Sequence, residues 1–299
     1  MENLLFYTLT VLIWGSTWLA IKFQLGTIDP LVSVIYRFTL AATLLMAWCL
    51  IKRLKMRFTP REHGFMALQG TLLFSINYWL FYLAELHITS GLAAVIFSTI
   101  VVMNMVNGNL FLKTPFDPRV IAGGTLGLIG ILFVFKPELS SFQLADSGIK
   151  GMVLCLIATY CASLGNIISA RNQKNGLPII QSNAYGMAYG TILMLAVALI
   201  KGKEFEFIFS TSYVTALIYL ALFGSIVAFG CYLTLIGRIG ADRAAYATLL
   251  FPIVALLIST IWENYHWSRE AFIGVTLILF GNLLMVKKRK KSIRAELLT

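Results

Sequence analysis

A cationic side chain stands well inside an apolar run. Arg37 lies seven residues beyond Pro30, about 10 Å along a helix rising ~1.5 Å per residue. A charge at that depth is costly and is kept where it acts on something. It could attract the anionic group or carboxylate of a ligand, or form a gating ion pair. It could also snorkel to the nearer interface or tie to a backbone carbonyl. Glu85 closes the third apolar run. It is placed to pair with Arg37 or Lys22, to bind an amine or exchange a proton, or to stand as a loop-edge carboxylate. Glu263 holds a comparable place, and His87 and His266 fall in polar loops.

Amides and polar-tipped aromatics form a second set. Asn77, Tyr78, Trp79 and Tyr82 cluster on one segment. Tyr78 and Tyr82, four apart, share a helix face. Such rings suit a cavity for an organic solute, and a mid-span amide needs a partner on another helix or on a substrate. Asn104 and Asn107, three apart, pose the same choice. Trp14, Ser16 and Trp18 on the first segment, and Tyr160 and Asn166 on the sixth, occupy matching places in the two halves of the chain. Tyr185 and Tyr189 repeat the four-residue spacing on the seventh. The expected lining is this aromatic and amide set, with Arg37 and Glu85.

The elements that must carry these residues are membrane helices. The 299-residue chain is 59% hydrophobic and 12% charged, with a mean hydropathy of +0.82. Soluble domains run about 25% charged. Disorder, a nucleic-acid-binding domain and an ordinary soluble enzyme are excluded. A bilayer crossing takes about 20 apolar residues, and ten segments qualify: 4–22, 30–51, 64–84, 88–112, 119–135, 150–170, 178–200, 211–236, 243–262 and 270–286. Proline punctuates the short loops at Pro30, Pro60, Pro115, Pro118, Pro137 and Pro178, as at helix starts elsewhere.

With both termini cytoplasmic, 17 Lys and Arg fall inside and 6 outside, which fits the positive-inside rule. The net charge of +11 therefore reads as an orientation signal. The first run lacks a preceding basic residue and is expected to be a retained helix, not a cleaved leader. Cys49, Cys155, Cys161 and Cys231 lie in apolar runs with no metal or disulfide spacing.

The chain also repeats itself. At a shift of 151 residues, Gly123, Thr125, Leu126, Leu128 and Gly130 match Gly274, Thr276, Leu277, Leu279 and Gly281. Ile88, Ala93 and Ala94 match Ile239, Ala244 and Ala245 at the same shift. A unit of five crossings must re-enter the membrane from the other side. The expected fold is an all-α integral membrane protein of ten transmembrane helices in two inverted five-helix repeats. Residues 1–136 form the first repeat, 137–149 an outer linker, 150–287 the second repeat, and 288–299 a basic cytoplasmic tail. Inverted repeats are a transporter architecture with the site near the midplane. The glycines of the fifth and tenth helices read as close packing.

Trp14 to Trp18 open the first helix, and Pro30 is followed by Tyr36, Arg37 and Phe38. Ser90 to Ala94 start the fourth, and Gly240 to Ala245 with Pro252 shape the ninth. With ten spans and the repeat, the whole chain resembles the EamA-type transporters of the drug/metabolite transporter superfamily. The fourth helix departs, with Val101 opposite Pro252 and with Asn104, Asn107 and Asn109. The resemblance implies a secondary active transporter, and an exporter, in a bacterial inner membrane. It implies alternating access around a central cavity for an amino acid, nucleobase or vitamin-like solute.

The chain has no phosphate-binding Gly-x-x-x-x-Gly-Lys-Ser/Thr loop, no metal cluster and no triad. No enzyme activity, cofactor or nucleic-acid partner is expected. The partners are a small organic solute, the lipid bilayer, and a proton, ion or counter-solute whose gradient drives transport. The protein would act as a monomer or dimer. A receptor, a passive channel or a membrane enzyme on the same scaffold is the alternative.

Overall fold

The computed structural model describes residues 2–24, 26, 28–88, 93, 96–134, 136, 146–262 and 267–286. Among them every regular element is helical: α1 (Glu2–Lys22), α2 (Pro30–Ile51), α3 (Pro60–Gly70), π1 (Thr71–Ile76), α4 (Asn77–Glu85), α5 (Ile100–Leu112), α6 (Pro118–Val134), α7 (Asp146–Lys174), α8 (Ile179–Ile200), α9 (Thr211–Tyr219), π2 (Leu220–Val227), α10 (Ala228–Ile239), α11 (Ala241–Ala244), α12 (Ala247–Trp262) and α13 (Arg269–Val286). Helix lies in each of the ten segments expected to cross. Four rods among the described residues are long and apolar enough to do so by length and composition: α2, α7, α8 and the continuous α9–π2–α10. Most of the linker, the basic tail, Ser90 to Leu92, Glu263, His266 and the Trp18 side chain lie outside the described residues.

Local chemistry sets the helix starts. Asp29 caps α2, accepting from the Leu31 N–H at 2.9 Å, with Pro30 in the first turn. Thr59 and Glu62 cap α3 reciprocally, again with a proline inside the start. Ser210 caps α9 through the Tyr213 N–H at 3.2 Å. These devices satisfy N–H groups that a helix start leaves unpaired.

Two rods are each interrupted by a π-helical segment, and the interruptions match. At the 151-residue shift, Thr71–Ile76 falls on 222–227, inside π2. Each holds a serine that donates to the carbonyl five residues back. Ser75 Oγ reaches the Gly70 carbonyl at 3.2 Å and that of Thr71 at 2.7 Å. Ser225 Oγ reaches the Leu220 carbonyl at 3.0 Å. Such wide turns are rare, and frequent at functional sites.

The repeat is also written into the packing of α6 on α13. A Cβ on Gly130 would come 2.6 Å from the Gly274 carbonyl oxygen, and one on Gly281 2.7 Å from that of Gly123. The 151-residue shift carries Gly123 to Gly274 and Gly130 to Gly281. The two contacts are therefore exchanged by the repeat, as across a two-fold axis. The backbones touch where no side chain fits.

Apolar side chains such as Leu12, Leu44, Ile129, Leu132, Ile192 and Leu279 point outward. In lipid that face costs nothing, and the chain is a multi-pass membrane protein.

Candidate functional site

A cavity opens among α1, α2, the α3–π1–α4 rod, α5, α7, α10 and α12. Its wall is aromatic. Trp14 sits at the centre, its ring centroid 4.8 Å from Phe229, 4.9 Å from Tyr232 and 5.4 Å from Phe251. Tyr78, Phe81, Tyr82 and Phe97 complete the wall.

The π2 segment holds the two most consequential side chains. A π-helical turn displaces backbone carbonyls from the regular α ladder, and the Gly224 carbonyl accepts the Trp14 indole N–H at 3.0 Å. Ser225 Oγ accepts the Arg37 Nε–H at 3.0 Å. Arg37 is only 1% exposed. Its guanidinium lies over the Tyr78 ring, 4.7 Å from the centroid, and beside the hydroxyl of Tyr82. Among the described residues its Nη1 makes no hydrogen bond. A buried donor left so costs about 1–3 kcal/mol, more for a charged one. Ring and hydroxyl contacts thus hold the charge, and Nη1 is buried without a partner.

The floor is a set of amides. Asn166 Nδ2 donates to the Tyr232 hydroxyl at 3.3 Å and to Asn104 Oδ1 at 3.5 Å. Asn104 Nδ2 donates to the Ala241 carbonyl at 3.1 Å, and Asn107 Nδ2 to Ser163 Oγ at 2.9 Å. Beyond the floor lies a second cavity, lined by Asn104, Gln173, Lys174, Arg238 and Asp242 among others. Burial pushes the Asp242 carboxyl up from its ordinary range. Nearby Asp117 is held down, first by the Arg119 backbone N–H and then by Arg243, whose guanidinium is 2.7 Å away.

Of the residues singled out from sequence, Trp14, Arg37, Asn77, Tyr78, Tyr82, Glu85 and Asn166 meet at the first cavity. The others lie elsewhere. Asn104 faces the second cavity, and Asn107 ties α5 to α7. Ser16 pairs with the Tyr219 hydroxyl at 2.6 Å, joining α1 to α9. Three placements correct the expectation. Tyr160 is 45% exposed on the outer face of α7. Tyr185 donates to the Met56 carbonyl at 2.9 Å, and the Tyr189 hydroxyl meets His63 Nδ1 at 2.9 Å. Both tyrosines lie in the first half of α8. The inverted topology puts that half at the opposite end from the start of α2, which carries Arg37.

Sequence reading missed Thr17, Gln24, Phe229, Tyr232 and Phe251. The repeat itself could have found three of these. At the 151-residue shift Tyr78 falls on Phe229, Phe81 on Tyr232, Phe97 on Thr248 and Ile100 on Phe251, and all eight line the cavity. The polar residues break the symmetry: Arg37 corresponds to Ala188, Asn77 to Ala228, Glu85 to Ile236, and Asn166 to Gly15. A quasi-symmetric wall thus carries polar groups that distinguish one end of a ligand from the other.

Comparison with known proteins agrees with this architecture. The "Protein PagO" of Salmonella typhimurium is 24% identical over 285 residues, covering 95% of this chain and 92% of its own. The "Uncharacterized inner membrane transporter YedA" of Escherichia coli K12 is 30% identical over 279 residues, covering 92% and 87%. A protein of known crystal structure shares the fold with a TM-score of 0.78 at 14% identity, over 99% of each chain. The sequence pattern of one transporter family matches residues 2–136 and again 149–287. Matched across both halves, the chain belongs to the EamA-like transporter family.

Proposed function

We propose that the protein is a secondary active transporter that carries a small organic solute by alternating access. The observation that carries this reading is the pair of cavities meeting at one hydrogen-bonded layer. The aromatic cavity ends on Asn166, and the second cavity begins on Asn104, one amide away. A layer of a few hydrogen bonds between two open spaces is a barrier that small helix movements can make and break. Residues 1–136 and 150–287 act as the two moving repeats, and matched π segments give each a place to bend.

The basic residues support cytoplasmic termini in an inner membrane, with the aromatic cavity facing out. The second cavity, bordered by Lys174 and Arg238, then faces in. Export is the direction of the reading. Its energy comes from a proton, an ion or a counter-solute gradient, and it includes no catalytic step.

Counterflow in proteoliposomes tests it. Vesicles loaded with unlabelled solute should accumulate labelled solute faster than empty ones, with saturation. Flux that neither saturates nor responds to solute on the far side would make the protein a channel and end the carrier reading.

A further inference from the structure

A groove runs between α1, α2, α8 and the π2–α10 rod. Phe6, Leu44, Trp48, Ile180, Val227 and Gly230 are among the residues that line it. Leu44, Trp48, Ile180 and Val227 are exposed, so the groove opens sideways from the bundle. At that depth the neighbour is hydrocarbon, and an acyl chain fills the space. From Leu222 to Thr234 the groove follows the rod for about 18 Å at ~1.5 Å per residue. One leaflet supplies about 15 Å of hydrocarbon, half of a ~30 Å core.

All four walls meet at one end of the bundle. Phe6 is near the start of α1, Trp48 near the end of α2, Ile180 at the start of α8 and Thr234 near the end of α10. Successive crossings alternate in direction, so the groove lies in the leaflet on the side of the N-terminus. With cytoplasmic termini that is the inner leaflet.

The two halves differ at this place. At the 151-residue shift Gly230 falls on Trp79. Trp79 packs into the cluster of Leu31, Ile35, Met194 and Ala198 between α2 and α8, with Lys201 Nζ 5.6 Å from its ring centroid. A Cβ on Gly230 would meet nothing within 4 Å. One half fills the position with an indole, and the other leaves it open.

The rim of the open groove is cationic. Lys52 Nζ stands over the Trp48 ring and the Arg238 guanidinium over the Phe6 ring, each 5.0 Å from the centroid. Two aromatic walls of the groove thus each carry a cation at the membrane surface. Glu2 accepts from Arg238 Nη1 at 2.8 Å, in an exposed pair. Lys52 and Arg53 are exposed at the end of α2. Three cations against one carboxylate leave the rim positive, and such clusters attract anionic headgroups.

We propose that the groove binds an anionic phospholipid of the surrounding leaflet. One acyl chain lies over Gly230, and the headgroup sits at the rim on Lys52 and Arg238. The site lies outside the aromatic cavity and does not depend on what solute moves through it.

Native mass spectrometry of the full-length protein, titrated with phosphatidylglycerol and with phosphatidylcholine of the same chains, tests it. One copy of phosphatidylglycerol should bind at least about tenfold tighter than phosphatidylcholine. Gly230→Trp, which copies the other half, should remove that copy. Lys52→Gln should keep a bound lipid and cut the preference about fivefold, the effect of one surface cation. The lipid series on the unaltered protein and on Lys52→Gln decides even if Gly230→Trp misfolds. Equal affinity for the two lipids, a preference untouched by Lys52→Gln, or the tight copy retained in folded Gly230→Trp overturns the proposal. So does a dimer that Gly230→Trp dissociates, which would make the groove a contact between two copies of the chain.

Discussion

The two π segments are built alike and used differently. In π1 the hydroxyl of Ser75 is turned back on its own helix. Its neighbour Gly70 lies so close to α8 that a Cβ there would overlap the carbonyl of Gly186. In π2 the hydroxyl of Ser225 is also turned back, yet its oxygen accepts from Arg37, and the next carbonyl holds Trp14. One bulge closes a helix contact, and its counterpart presents a charge and an indole to a cavity. A local deformation inherited by both halves is thus neutral in itself, and the facing helix decides its use. Where α8 offers Gly186 and Gly190, α2 offers Arg37.

The largest effect expected from breaking this comparison is at the last residue of α3, just before π1. Gly70→Val should sharply reduce monodisperse folded protein, because the nearest neighbour is backbone and cannot swing away. Overpacking of this kind costs about 1–3 kcal/mol or more. Size-exclusion profiles and melting curves would read it, and normal yield would mean that the α3–α8 contact is not tight. On π2 the corresponding change should spare folding. Arg37→Gln should leave the melting temperature close to that of the unaltered protein while solute exchange falls by at least about tenfold, equivalent to ~1.4 kcal/mol. Equal loss of folding and exchange would make Arg37 structural.

The serines sharpen the contrast. Ser225→Ala frees Arg37 Nε and should raise the apparent KM several-fold, with about 0.5–1.5 kcal/mol at stake for one hydrogen bond. Ser75→Ala should shift the melting temperature by a few degrees and leave KM alone. The same KM change in both variants would dissolve the distinction. The smallest effect belongs outside both segments. Tyr189→Phe removes the contact to His63 and should cost stability of about 1 kcal/mol or less, with exchange unchanged. A lost exchange signal would return Tyr189 to the pathway.

Much of this was legible in the chain, for physical reasons. Hydropathy located the helices because lipid demands long apolar runs, and Pro30 and Pro60 marked two of their starts, while the caps Asp29 and Thr59 emerged only in the fold. Arg37 and Asn77 were found because a polar group in an apolar run must have a use. Faces were harder to read. Tyr160 and Asn166 were paired from sequence, but six residues at ~100° each leave them about 120° apart around the helix. Asn166 therefore looks inward while Tyr160 meets lipid. The four-residue spacing of Tyr185 and Tyr189 gave a shared face and said nothing of depth, which the topology sets. The π segments left no mark, since Ser75 and Ser225 are ordinary residues whose back-bonding appears only in the fold. Tyr232 and Phe229 were written in the repeat, and carrying Tyr78 and Phe81 forward by 151 residues reaches them.

The seam between α6 and α13 has a consequence for how the polypeptide can be divided. Its contacts join the last helix of one half to the last helix of the other, Gly130 to Gly274 and Gly123 to Gly281. None of them depends on the peptide bonds between the halves. Two genes, each encoding one half, would supply both surfaces of the joint in full. The chain between α6 and α7 is therefore the place to cut when the two fragments are to be made together and left to find each other in the membrane.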